Sequence, residues 1–383
     1  MNNPTELITL LADLVRIDSI NPNLIAGAKG EADMAAFIAE WATRAGLEVI
    51  VQDAAPGRPN VMVIARGSGG GKNLMLNGHT DTVGLTGMDE PFSARIEGNR
   101  MYGRGTYDMK AGIAASLMAA KRAKSLHLSG DVMVTCVADE EVASLGTEAI
   151  CRDLPRWRPD AVIVTEPTEM EIAVAHKGFV WFDIETLGVA AHGSRPHLGV
   201  DAIAKMGRVL VELEQYDLQL RANPTHPYLS SGSLHASIIQ GGQEMSSYPA
   251  YCKLQIERRT LPGETPEGVQ AQLQAILDRC ASTDSTFKAK LTPGLARDAF
   301  ELNEDTPLVQ LCRQQLTQVT GSPAKLSGVS YWADSGLFSA AGVPTILLGP
   351  RGFGAHGPVE WVDLDTVQQC ANVYTAVAQV FCR

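Results

Sequence analysis

Short apolar runs that end on polar or acidic residues constrain this chain more than any other feature of its sequence. Runs at 74–76, 132–138 and 161–164 alternate with helical patterns such as 111–123, and that alternation specifies an α/β fold, a sheet covered by helices. In open sheets of this kind ligands bind beyond the carboxyl ends of the strands, so the polar residues standing there are the first candidates for a site. At 383 residues and 45% hydrophobic content the chain can bury a full core and exceeds the usual single domain, so two domains are expected.

The pattern changes after Lys177-Gly178. Residues 180–186 read as a strand, 201–214 as a helix, 233–239 and 251–256 as strands, 267–280 as a helix and 287–291 as a last strand. The α/β pattern then resumes with a helix over 307–319, a strand over 345–348 and a helix over 365–380. The simplest account is a split domain, 1–178 with 293–383, carrying an inserted α+β domain at 179–292.

A formal charge of −11 and a pI near 5.3 argue against a sequence-independent nucleic-acid binder, which needs basic patches to neutralise phosphates. Seven cysteines, odd in number and without a CxxC pair, disfavour a disulfide framework or a structural zinc module and read as reduced thiols. Residues 1–19 carry Glu6, Asp13, Arg16 and Asp18 among apolar positions, the pattern of an amphipathic helix rather than a secretion signal. No apolar run approaches the roughly 20 residues that cross a bilayer. A cytoplasmic protein without a membrane partner is expected.

Several residues at predicted strand ends could carry chemistry. His79 follows the run at 74–76 with Asp81 two residues on, Asp108 lies in the glycine-rich approach to the helix at 111–123, and Asp139-Glu140-Glu141 closes the run at 132–138. Glu166 follows the run at 161–164, and His356 comes after the glycine-rich stretch 349–354. Taken singly, each has an ordinary reading: a hydrogen-bonded turn histidine, a capping aspartate, a solvated acidic loop. Together they form a set of imidazoles and carboxylates of the kind zinc, cobalt or manganese prefers, and three adjacent acids are easiest to explain with cations among them.

The chain resembles the metallopeptidase M20 family, close to its acetylornithine deacetylase and succinyl-diaminopimelate desuccinylase branch. The matching segments run in order from His79-Thr80-Asp81-Thr82 through Gly103 to Gly112, Asp139-Glu140-Glu141, Thr165 to Thr168, His176-Lys177-Gly178, Ala191 to Ser194 and Arg259 to Gly263, ending at Ala355-His356. The resemblance implies a zinc-peptidase-like catalytic domain and a ferredoxin-like dimerisation and lid domain. It further implies two divalent metal ions, zinc or else cobalt or manganese: His79 and Glu166 on one, Glu141 and His356 on the other, Asp108 bridging and Asp81 orienting His79. Glu140 would be the general base toward a water shared by ions about 3.5–4 Å apart. His192 would reach the partner subunit's site in a homodimer to stabilise an oxyanion, with Arg259, Ser246 and Lys177 on the substrate.

Departures from the family pattern bear on substrate choice. Ser246-Ser247-Tyr248-Pro249 stands where the family often has Asn-Val-Ile-Pro, Glu257 replaces an aspartate, and Ala333-Asp334-Ser335 and Val359-Glu360 vary two further motifs. The expected activity is hydrolysis of the amide of a small N-acylated amino acid, acetylornithine-like before succinylated. A carboxypeptidase or dipeptidase is the alternative, and a metal-dependent binding protein without turnover is the reading from a different class.

Overall fold

The strands Leu74–His79, Val132–Val137 and Ala161–Val164 are buried along their whole length, as a sheet covered on both faces requires. In the computed structural model, which describes residues 4–85 and 87–383, they are central members of a mixed sheet. Its order is Glu48–Ala55, Arg58–Ala65, Val132–Val137, Leu74–His79, Ala161–Val164, Thr345–Leu347, Ile172–His176, Phe300–Glu301, with Leu326–Val329 also pairing with Ile172–His176. The inner pairings are parallel and the outer ones antiparallel. Register decides what emerges together: His79 lies opposite Val137 and Asn77 opposite Val164, so residues 79–81, 138–141 and 165–166 leave the sheet side by side.

The chain divides into two compact units. One gathers the described residues up to Val174 with Leu302–Ser327 and Ala333–Arg383. Its helix Ala111–Ala123 is nearly all buried and rich in alanine, which lets it lie close to the sheet. Gly112 marks the closest approach, since a Cβ there would stand 2.1 Å from the Thr165 carbonyl oxygen. The helix Leu364–Phe381, whose N-terminus Asp363 caps by accepting from the Asp365 and Thr366 N–H groups, packs on Ala111–Ala123. Pro4–Arg16 is helical within the amphipathic stretch expected over 1–19; residues 1–3 of that stretch lie outside the described residues. A small sheet pairs Gly352–Phe353, Trp361–Asp363, Arg100–Tyr102 and Arg95–Glu97, bringing the segment after His356 against the one before Asp108.

The other unit comprises Ala175–Glu301 with Gly328–Trp332. Its antiparallel sheet has the order Ser233–Gly241, Tyr251–Thr260, Gly178–Leu187, Ala289–Arg297. With the helices Ala202–Ala222 and Pro266–Ser282 it follows the β-α-β-β-α-β ferredoxin-like order around Phe182, Ile184, Met206, Leu254, Ile256 and Leu273. Asp201 and Thr265 cap the two helices. The first helix runs on to Ala222 instead of ending near 214, and the last strand continues past 291 to Arg297. A register shift between Pro293 and Ala296 interrupts that strand, which is why its alternation breaks in the sequence. All seven cysteines are free, and no helix among the described residues is long and apolar enough to cross a membrane.

Candidate metal centre

Six of the residues singled out in the sequence converge in the first unit. Asp108 is at the middle: its Oδ1 lies 3.1 Å from His79 Nε2 and its Oδ2 3.4 Å from His356 Nε2. Glu141 Oε2 stands 3.0 Å from the same His356 nitrogen, while Glu166 Oε1 and Glu140 Oε2 stand 3.5 and 3.8 Å from His79 Nε2. Two overlapping donor sets result, His79 with Glu140 and Glu166, and His79 with Asp108 and Glu141, each with its ligand atoms within 4.8 Å of one another. Donors bound at roughly 2.1 Å to one ion stand at about such separations.

The electrostatics fit cations. Burial pushes the carboxyls of Glu140, Glu141 and Glu166 above the usual carboxylate range, opposed by His79 and reinforced by the neighbouring acids. Burial works against a charged His79, yet Glu166, Asp108, Asp81 and Glu140 around it hold it well above the ordinary imidazole value. Hydrogen bonds to Asp108 and Glu141 push His356 up to about 10. Acids packed so closely must keep protons or share cations, and divalent ions are the economical counter-charge. Glu141 Oε1 is buried without a hydrogen-bond donor among the described residues, an acceptor still lacking a partner. Oxygen and nitrogen donors without sulfur suit zinc, cobalt or manganese. Two residues here, Asp139 at φ 69° and His356 at φ 61°, adopt the left-handed backbone region.

Asp81 does more than its expected part. The His79 Nδ1 is 3.0 Å from the Asp81 main-chain oxygen and 3.6 Å from its carboxylate, so the carbonyl is the nearer acceptor. The carboxylate instead accepts from the N–H groups of Glu140 at 3.1 Å and Glu141 at 3.2 Å and from Asn21 Nδ2 at 2.7 Å. Asn21 also donates to Asp139, which is paired with Arg58, itself forked onto Glu31. This buried Glu31–Arg58–Asp139–Asn21 network fixes the turn that presents Glu140 and Glu141. Sequence reasoning missed it, because partners up to 118 residues apart leave no spacing signal.

Lys177, His192, Ser246 and Arg259 belong to the second unit. His192 Nδ1 accepts from the Ser194 backbone N–H at 3.2 Å and faces its Oγ at 2.8 Å, which assigns the ring proton of a neutral imidazole to Nε2. The Gly193 N–H donates to the Ser246 carbonyl, setting Ser246 beside the His192 turn. Arg259 Nε donates to Glu257 at 2.6 Å with its guanidinium over Phe179, and Lys177 Nζ donates to the Ser231 carbonyl at 2.6 Å.

Residues 75–380 match the model of peptidase family M20/M25/M40. An acetylornithine deacetylase from Vibrio atlanticus is 29% identical, covering 96% of this chain and 97% of its own. An N-formyl-4-amino-5-aminomethyl-2-methylpyrimidine deformylase from Halalkalibacterium halodurans is 27% identical over 91% of this chain and 87% of its own. Among solved structures, an aminopeptidase from Bacillus cereus superposes with a TM-score of 0.82 at 18% identity, covering 100% of this chain and 99% of its own. A Bacillus subtilis protein described as a dinuclear metal-binding peptidase of family M20 gives 0.76 at 15% identity, covering 99% and 98%. The chain belongs to peptidase family M20/M25/M40 and is a hydrolase of amide bonds.

Proposed function

We propose that the protein is a two-metal amidohydrolase that removes the acyl group from a small N-acylated amino acid, acetylornithine-like in its substrate class. The observation that carries this reading is Asp108, whose two carboxylate oxygens face His79 and His356 among buried and half-buried acids. His79 and Glu166 would hold one ion and Glu141 and His356 the other, with Asp108 shared. Bound there, the ions supply Lewis-acid polarisation of the substrate carbonyl and acidify a water. Glu140 takes the attacking water's proton and returns it to the departing amine, a task suited to a carboxyl that burial has made unusually basic. His192, with its proton on Nε2, is the donor for the developing oxyanion. The Arg259 guanidinium binds the carboxylate of the amino acid, with Ser246 and Lys177 lining the same substrate.

His192 acts across a homodimer in this account. Support comes from the second unit's open edge strand Ser233–Gly241, which pairs on one side and exposes Ile238 and Ile239 at 51% each. An open apolar edge of this kind is a template for pairing with a second copy.

A panel of N-acetyl, N-formyl and N-succinyl amino acids together with dipeptides tests the substrate class. The N-acetyl amino acids are expected to give the highest kcat/KM. Dipeptides turned over fastest would make the protein a peptidase, and no turnover across the panel by metal-loaded protein would make it a binding protein.

A further inference from the structure

Resting on the metal-centre reading, we propose that Glu360 is a positioning residue which, through Arg104, clamps the Asp108 segment to the His356 loop and so sets the centre's affinity for divalent ions. Glu360 is 1% exposed and lies outside both donor sets. Its Oε1 accepts from the backbone N–H groups of Tyr107 at 2.9 Å and Asp108 at 3.1 Å. Its Oε2 accepts from Gly105 N–H at 3.0 Å and Arg104 Nη1 at 2.6 Å. Four donors, three of them backbone groups approaching or on Asp108, therefore end on one carboxylate. Arg104 Nη2 then donates at 2.9 Å to the carbonyl of Gly357, the residue after His356. The Glu360 carbonyl in turn accepts from Gly103 N–H, next to the Tyr102–Trp361 pair of the small sheet.

The arrangement is more than a buried ion pair, which by itself is weak evidence for stability. Asp108 must present one oxygen to His79 and the other to His356, so a shift of its backbone spoils both contacts at once. The three loop N–H groups have no helical partner and would be orphaned without Glu360. Only an acceptor with two free oxygens satisfies all four donors. A glutamine has the same size but turns one acceptor into an NH2 group that confronts two of those donors in either orientation.

The test compares the parent with Glu360→Gln, Glu360→Asp and Arg104→Lys, each freed of metal and titrated with cobalt(II) against a chromogenic chelator. Circular dichroism checks the fold, and the absorption spectrum of bound cobalt reports ligand geometry. Glu360→Gln and Arg104→Lys are expected to stay folded, to bind cobalt about 10–100-fold more weakly and to change its spectrum. Glu360→Asp, which keeps the acceptor chemistry, is expected to recover part of that loss. A role in stability alone would lower the melting temperature and leave the affinity and spectrum of the folded protein unmoved, and that result overturns the inference. If Glu360→Gln does not fold, Arg104→Lys, which keeps the charge but loses the fork, decides in the same way. A parent that takes up no cobalt overturns the metal-centre reading and this inference with it, whereas a parent that binds cobalt and variants that match it overturn the inference alone.

Discussion

Glu140 holds an ambiguous place among the acids. Its Oε2 is 3.8 Å from His79 Nε2 and belongs to one of the two donor sets, so geometry permits a ligand as well as a base. Glu140→Gln separates these roles. As a base, it should lose a factor on the order of 10² or more in kcat while metal content stays at the parental level; a fall in bound metal would make Glu140 a ligand instead. Lys110, two residues after Asp108, offers a pH effect of a different kind. Its side chain is fully buried, with Nζ donating to the Ile17 carbonyl at 2.8 Å. Burial lowers its pKa from 10.5 to about 7, against the pull of Glu360. Between these values the unfolded chain holds a proton that the native state has released. The Lys110 contribution to stability is therefore fully present above pH 10.5 and is lost progressively as the pH falls from there to about 7, with a slope of up to about 1.4 kcal/mol per unit. Urea unfolding from pH 7 to 10 at fixed metal content should show stability rising more steeply in the parent than in Lys110→Met, and parallel profiles would refute the assignment.

Among the elements, those with one dominant period were legible before the structure. The helix Ala111–Ala123 and the strands Val132–Val137 and Ala161–Val164 stood out because continuous apolar burial leaves a continuous apolar pattern. The small sheet was not anticipated, since strands of two or three residues such as Gly352–Phe353 and Trp361–Asp363 are too short to show a period. The end of Ala202–Ala222 was hidden by a polar final stretch, and Ala289–Arg297 by its Pro293-Gly294 interruption. At the site, the motif residues from His79 to His356 were legible through the family resemblance, whereas Asn21, Glu31 and Arg58 were not, because their role exists only in three dimensions. The edge strand Ser233–Gly241 carries its own prediction. Lysines at Ile238 and Ile239 should block edge pairing, so sedimentation is expected to show a dimeric parent and a monomeric double variant. The variant should keep its metal and lose turnover if His192 serves the partner's site. A parent that is monomeric at all concentrations would remove the dimer from the account.

At the scale of the whole molecule, the sequence separates two tasks. The first unit brings His79, Glu140, Glu141 and Glu166 from the ends of parallel strands, where an α/β sheet opens to ligands, together with Asp108 and His356 from segments beside the small antiparallel sheet. The second carries His192, Arg259, Ser246 and Lys177, which the proposed reading assigns to the substrate, on a small antiparallel sheet and its loops. The apolar core consists of buried strand and helix residues other than the proposed ligands. Removal of metal should therefore silence the protein without unfolding it. Stepwise titration of metal-free protein with zinc or cobalt, following bound ions by elemental analysis and hydrolysis of an N-acetyl amino acid in the same samples, tests the two-metal claim most directly. The account predicts no turnover without metal and recovery that is complete at two ions per chain. Full hydrolysis by rigorously metal-free protein would contradict it.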